Sequence, residues 1–478
     1  MCAFQSRRPH SNAPPANFGS NASGYKGNTS SSPATVPRTQ QQQQQQQSAS
    51  VIGGGGAVQR SGGAPSQTGA TSDSPLVIEG GGGRILCVAD VRGNLKTLND
   101  LAVKYRAQAI IHTGDFGFYS SDSLDRISDK TLRHLVQYSG LISNDQRNKL
   151  LAADQPRGAP LGGTNYPTTN LRSQISNSSI PLLSEFPLLL DGRLQLNVPV
   201  FTVWGACEDV AVLERIRAGS YQIPNLQVLD EATTRSIHVG DIRLRLFGLG
   251  GAVVLHKLFD NGDGAATIAG GQGLMWTTML QIGELVDTAQ KTFDPSETRV
   301  LISHVSPGRE GLLAQLAVAL KADFTISAGL HFRYGISYNE FGVQHDSQNY
   351  RNKMVSAKTA FGEVWDGVKV QVEEAVDPQQ RILLDHALAV TNRVPSLSTA
   401  TGAVSEEYAW KNTWNWNLPD AAHGSLVFDI AGGRLGAETY SSGFNFAFRQ
   451  ASGSIAGGTA AVATQPAAHS AAVKSQPT

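Results

Sequence analysis

The most constraining feature of this chain is a recurrence: short apolar runs that stop abruptly at a polar residue or a glycine turn. Arg84 to Ala89 is apolar after its arginine, ends at Asp90, and has Gly93 and Asn94 close behind. Ala109 to His112 ends at Gly114 and Asp115, and Val198 to Val203 closes on Gly205, Ala206, Cys207 and Glu208. Ile242 to Phe247 leads into the glycines of Gly248 to Gly251, Arg299 to Ile302 into Ser303 and His304, and Phe324 to Ser327 into Gly329 and His331. Runs of this length and purity read as strands buried on both faces, with helical segments between them. Asn94 is placed to cap a helix running to about Tyr105, with Leu95, Leu98 and Leu101 on one face. The pattern is that of an α/β domain.

Composition sets the limits of that domain. Residues 1–83 consist mainly of Ser, Gly, Pro, Asn and Gln, with a glutamine run from Gln40 to Gln47, and cannot bury enough apolar surface to offset chain entropy. Residues 449–478 have a similar bias. The folded part is therefore expected over 84–448, with a surface insertion at about 140–187 where Asn, Ser, Gly and Pro dominate. The stretch Gly424 to Ile430, then Arg434 to Tyr440, reads as a terminal hairpin with a glycine turn. Trp414, Trp416, Tyr338 and Phe341 are expected to pack the last strands.

Lys plus Arg and Asp plus Glu balance at 39 each, so no basic field marks a nucleic-acid partner. Three scattered cysteines exclude a disulfide framework and point to a reducing, cytoplasmic or nuclear setting. The absence of a signal-like start or a long apolar stretch points to a protein neither secreted nor membrane-bound.

In an open α/β sheet, polar groups at the carboxyl ends of strands converge, which brings together Asp90, Asp115, the Gly205 to Glu208 turn, His304 and His331. Carboxylate oxygens with imidazole nitrogens suit zinc, manganese or iron, and two such ions held about 3.5–4 Å apart clamp both oxygens of an in-line phosphoryl displacement. Asp90-Val91-Arg92-Gly93-Asn94, Gly114-Asp115, Gly205-Ala206-Cys207-Glu208, Ser303-His304 and Gly329-Leu330-His331 occur in that order. Taken together they resemble the fingerprint of the calcineurin-like metallophosphoesterases, in a divergent form similar to fungal phosphoesterase-like proteins of unassigned function.

The resemblance implies a four-layer α-β-β-α sandwich, two mixed sheets flanked by helices. It also implies Asp90 and His331 as first-metal ligands, Asp115 as the bridging carboxylate and His304 as a second-metal ligand. Against that pattern, Arg92, Ala206, Cys207 and Gly329 stand where the family has two further metal-binding histidines, a ligating asparagine and the catalytic histidine. Alanine and glycine have no donor, and arginine, with a pKa above about 12, lends no lone pair to a metal. One divalent ion or none is therefore expected. Arg92 is expected to take the ion's place beside Asp90 or Asp115 and to suit a phosphate. Cys207 is a packing residue, a zinc ligand or a nucleophile at the catalytic-histidine position; His112 reads as a core residue, and His238 and His256 are further donors the site could recruit. The reading is a phosphoesterase-fold protein with hydrolysis lost or weakened, binding a phosphorylated ligand or a protein partner. Its rivals are an active phosphoesterase with one metal or a rearranged pair, and a scaffold recruiting through its tails.

Overall fold

The computed structural model describes residues 74–153, 169–265, 267–329, 336–338, 347–394 and 412–442. The expectations for the tails, for His331 and for Phe341 lie outside the described residues, as does the side chain of Tyr338.

Two mixed sheets form the centre. The first runs in the order β15 (Arg434–Ser441), β14 (Gly424–Ala431), β2 (Gly82–Val88), β3 (Ala109–His112), β4 (Val200–Thr202) and β5 (Leu226–Val228). Strands β2 to β5 are parallel, and β14 and β15 join antiparallel as a hairpin whose Gly432 and Gly433 both have positive φ. That is the backbone a tight two-residue turn requires. The second sheet runs β1 (Leu76–Ile78), β6 (Thr234–Val239), β7 (Ile242–Leu249), β10 (Thr298–Ser303), β11 (Phe324–Ala328), β13 (Trp414–Leu418) and β12 (Ile336–Tyr338). Its β7, β10, β11 and β13 are parallel. A small hairpin, β8 (Ala269–Gly271) with β9 (Leu274–Trp276), stands apart. The ordered chain begins before Arg84, since β1 and the first residues of β2 are strand.

The inner faces of the two sheets share one apolar core. Ile85, Cys87, Ile111 and Phe428 of the first meet Leu246, Val300, Ile302 and Trp416 of the second. The outer face of the first sheet buries Leu86, Val88 and Ile110 against Leu95, Leu98 and Ala102, around helix α1 (Lys96–Tyr105). The outer face of the second buries Phe247, Leu249 and Leu301 against Met279, Leu285, Leu313 and Leu316 of the helices Met279–Lys291 and Gly311–Ala319. Beyond these pack a long helix, Ser347–Ala375, through Phe361, and the helix Pro378–Thr391, through Ala387 and Val390. The apolar runs of β2 and β3 are buried on both faces because both faces are covered. Among the described residues no helix is long and apolar enough to cross a membrane.

Two expectations need adjusting. Asn94 does not cap α1: the residue before the helix is Leu95, and the Lys96 N–H is taken by Glu185 Oε2 at 2.9 Å. The stretch expected to be a surface insertion contains two helices, Asn144–Ala153 and Thr169–Ser176. With the preceding helix Asp129–Tyr138 it builds a separate small core from Leu132, Val136, Ile142, Leu150, Leu171 and Leu182.

Candidate functional site

The turns after β2 and β3 are laced to each other. Asp90 N–H donates to Gly114 O at 3.2 Å, Arg92 N–H to Asp115 O at 2.8 Å and Gly93 N–H to Phe116 O at 2.9 Å. Within this lacing Asp90, Arg92 and Asp115 hold φ values of 53°, 46° and 53°. Left-handed backbone at a non-glycine residue costs roughly 1 kcal/mol or more and persists where surroundings enforce it. Here the cross-loop bonds do so, and they aim the three side chains into one cleft.

Asp115 is fixed again by the turn after β4. Its Oδ1 accepts the Cys207 N–H at 3.0 Å, an approach that only glycine at 205 permits: a Cβ there would stand 1.9 Å from that same oxygen. From β10, His304 brings Nδ1 to within 3.1 Å of Thr113 O and Nε2 to 3.9 Å from Asp115 Oδ1. Burial pushes the imidazole below its ordinary pKa, so it is neutral. Nδ1–H then donates to the Thr113 carbonyl, leaving the Nε2 lone pair facing the carboxylate. Burial alone would raise Asp115, but in the acid range where it titrates the protonated His304 ring, Arg92 and the Cys207 N–H outweigh it and hold its carboxyl below the usual range.

Arg92 is turned inward, with its side chain 13% exposed. Nη2 reaches Asp90 Oδ2 at 3.2 Å, in agreement with the pairing expected from sequence. The stronger partner is one the sequence reading missed: Asp420, after β13, takes Nη1 at 2.7 Å and Nη2 at 3.2 Å. Asp90 is pushed well above the usual carboxylate range by burial, with Arg92 opposing and Asp115 and Asp420 adding to it.

A narrow pocket opens beside these groups, lined by Arg92, Asp115 and Cys207. Its other side belongs to the helical insertion: His134, Leu135 and Tyr138 of the helix Asp129–Tyr138, with Leu183. The Tyr138 ring lies 5.7 Å from the Arg92 guanidinium. The insertion is fastened to the sheet loops by Glu185 N–H to Gly93 O at 2.8 Å and Ser184 Oγ to Gly117 O at 2.5 Å. Arg126 Nη2 to Asp209 Oδ2 at 2.6 Å ties its other end.

Of the residues expected here, the structure brings Asp90, Arg92, Asp115, Cys207 and His304 together. Glu208 faces inward instead, accepting the N–H groups of Gly117 at 3.2 Å and Phe118 at 2.6 Å. Burial, with Asp115 adding, pushes its carboxyl up to about 8. The Cys207 thiol is buried at the pocket floor; its carbonyl accepts the Tyr119 hydroxyl at 2.5 Å. His112 is a core residue, paired with Thr202 Oγ1 at 2.8 Å.

Among the described residues no three His, Cys, Asp or Glu side chains are disposed to hold an ion, and Arg92 already places a cation against Asp90 and Asp420. A family model described as "Protein of unknown function (DUF2433)" matches residues 334–449, a segment containing the long helix and Asp420. No curated protein matches the chain.

Proposed function

We propose that this chain has the fold of the calcineurin-like metallophosphoesterases with the metal centre replaced by an internal guanidinium, and that it binds its ligand without hydrolysing it appreciably. The observation that carries the reading is Arg92, drawn out of solvent and bonded to Asp90 and Asp420 among the strand ends. Two ions acting as Lewis acids need converging lone pairs on both sides of each ion. Arg92 has none to give, Asp90 spends an oxygen on it, and Ala206 and Gly329 offer no side-chain donor. Among the described residues that leaves the Asp115 and His304 pair.

The proposed occupant is a phosphorylated ligand entering between the helical insertion and the strand ends. Arg92 supplies positive charge at the pocket floor, but Asp115 faces the same space and Asp420 matches much of that charge. Most of the affinity must therefore come from the body of the ligand, against Tyr138, Leu135 and Leu183, and free inorganic phosphate is a weak ligand.

Elemental analysis of the purified full chain, run with phosphomonoesterase and phosphodiesterase assays in added manganese or zinc, tests this. Absence of stoichiometric metal together with absence of turnover is the expected result. One or two ions per chain with metal-dependent turnover would make it a working hydrolase built on Asp115 and His304, and the reading would be wrong.

A further inference from the structure

The side chains that wall the pocket are not equally able to move. Leu135 and Leu183 pack against the insertion's own core, and Tyr119 is buried with its hydroxyl on Cys207 O. Tyr138 is 44% exposed and joins no apolar core among the described residues. It is the last residue of its helix, and the backbone around it is held in place. Val136 is buried, the Ser139 hydroxyl donates to Leu182 O at 2.7 Å, and Ser139 O accepts Arg147 Nη2 at 2.7 Å. The ring lies over the Arg92 guanidinium at 5.7 Å and tilts against His134 with centroids 4.7 Å apart. A turn about the Tyr138 side-chain bonds therefore moves the ring without breaking a core. With the ring where it stands, the pocket has room for little more than a water molecule.

We infer that Tyr138 is the gate of this pocket: its ring closes the space over Arg92, and a ligand enters only when the ring swings outward. Calling the entrant a ligand rests on the proposed function, whereas the closure is a property of the wall alone. Swinging out gives up the cation–π contact with Arg92 and the contact with His134, for a ring already almost half in solvent. Opening by the insertion as a body would instead break the Glu185 to Gly93, Ser184 to Gly117 and Arg126 to Asp209 ties together. Rotation of an exposed side chain is also the faster event, since it runs in picoseconds to nanoseconds and local unfolding in microseconds or longer.

Cys207, which lines the pocket and is 4% exposed, reports on the gate without a ligand. Iodoacetamide reaches it by passing Tyr138, whereas Cys87, fully buried in β2, reacts only on unfolding and serves as the control. Timed alkylation of the full chain, read by peptide mass mapping, gives both rates for wild type, Tyr138→Ala, Tyr138→Leu and Tyr138→Phe. A cation–π contact of this kind corresponds to a closed-to-open ratio of about 2 to 30. Tyr138→Ala should therefore alkylate Cys207 about three- to thirtyfold faster, with the Cys87 rate unchanged. Tyr138→Phe keeps a ring over Arg92 and should stay within about twofold of wild type. The pH midpoint of the Cys207 rate should stay where it is, because access changes and the thiol does not.

Tyr138→Leu covers the case in which the alanine variant unfolds, and should show a smaller rise at Cys207. An unchanged Cys207 rate in a folded Tyr138→Ala or Tyr138→Leu protein overturns the gate, and so does a rise as large in Tyr138→Phe. Alkylation of Cys87 in both smaller variants would make Tyr138 a structural residue and overturn it too. A Cys207 rate that Asp209→Ala raises and Tyr138→Ala does not would make the whole insertion the moving part, against the proposal. Each of these results leaves the proposed function standing, which fails instead on stoichiometric metal with turnover.

Discussion

Gly205→Ala is the sharpest probe of how the cleft is held. The added methyl carbon would sit 1.9 Å from Asp115 Oδ1 and 2.1 Å from Asp115 N, whereas ordinary contact begins near 3.4 Å, so the turn after β4 or the Asp115 loop must move by more than an ångström. Neither is free to do so. Asp115 is pinned by the Arg92 N–H at 2.8 Å and the Cys207 N–H at 3.0 Å, and Ala206 O holds Met275 N–H at 2.9 Å. Overpacking costs about 1–3 kcal/mol, and losing the Cys207 hydrogen bond to an ionised carboxylate about 1.5–3 kcal/mol more. The sum is about 2.5–6 kcal/mol. Gly432→Ala is the control, because its positive φ makes it unfavourable but no atom lies within 4 Å of the added carbon, so about 1 kcal/mol is expected. Urea midpoints of the two variants and the wild type give the comparison. A Gly205→Ala protein within about 1 kcal/mol of wild type would show that the strand-end loops are not packed as described.

Other perturbations separate the remaining claims. Asp209 accepts Ser123 Oγ at 2.5 Å and Arg126 Nη2 at 2.6 Å, and caps the helix Val210–Arg217 through Ala211 N–H at 3.1 Å. Asp209→Ala should therefore cost about 3–5 kcal/mol and expose residues 120–153 to limited proteolysis before the rest of the chain; unchanged cleavage order would refute its role as a tether. Glu208 has a folded-state pKa of about 8 against an ordinary 4.5, so the folded state holds a proton that the unfolded state releases between those values. Its stability contribution is present below pH 4.5 and is lost as pH rises to about 8, at up to about 1.4 kcal/mol per pH unit. Urea unfolding from pH 5 to 8 should show a steeper loss for wild type than for Glu208→Gln, and parallel profiles would count against it.

How much of this was legible in the sequence follows from what each segment had to satisfy. Strands β2, β3, β10 and β11 are buried over most of their length and run into a polar residue or glycine, so their limits and the convergence of Asp90, Asp115 and His304 could be read directly. Strand β6 was not recognised: Arg235, Ser236 and His238 interrupt its apolar pattern, and its identity comes from pairing with β7. The insertion was misjudged for a different reason. Its averaged composition is that of a loop, while its Leu150 and Leu171 join Leu132 and Val136 of the preceding helix in a core that appears only when the helices meet. His134 and Tyr138 were missed with it. Asp420 was hidden behind Pro419, one step beyond a strand whose tryptophans suggested only packing, and its partner lies 328 residues away. Its signal was the same as that of Asp90, a carboxylate just past an apolar run.

The most direct measurement of the central claim is an anomalous difference map from crystals of the full chain soaked in Mn²⁺. The account predicts guanidinium density between Asp90 and Asp420, with no anomalous peak beside Asp115 and His304. A pair of peaks about 3.5–4 Å apart at the strand ends, with Arg92 displaced, would contradict it.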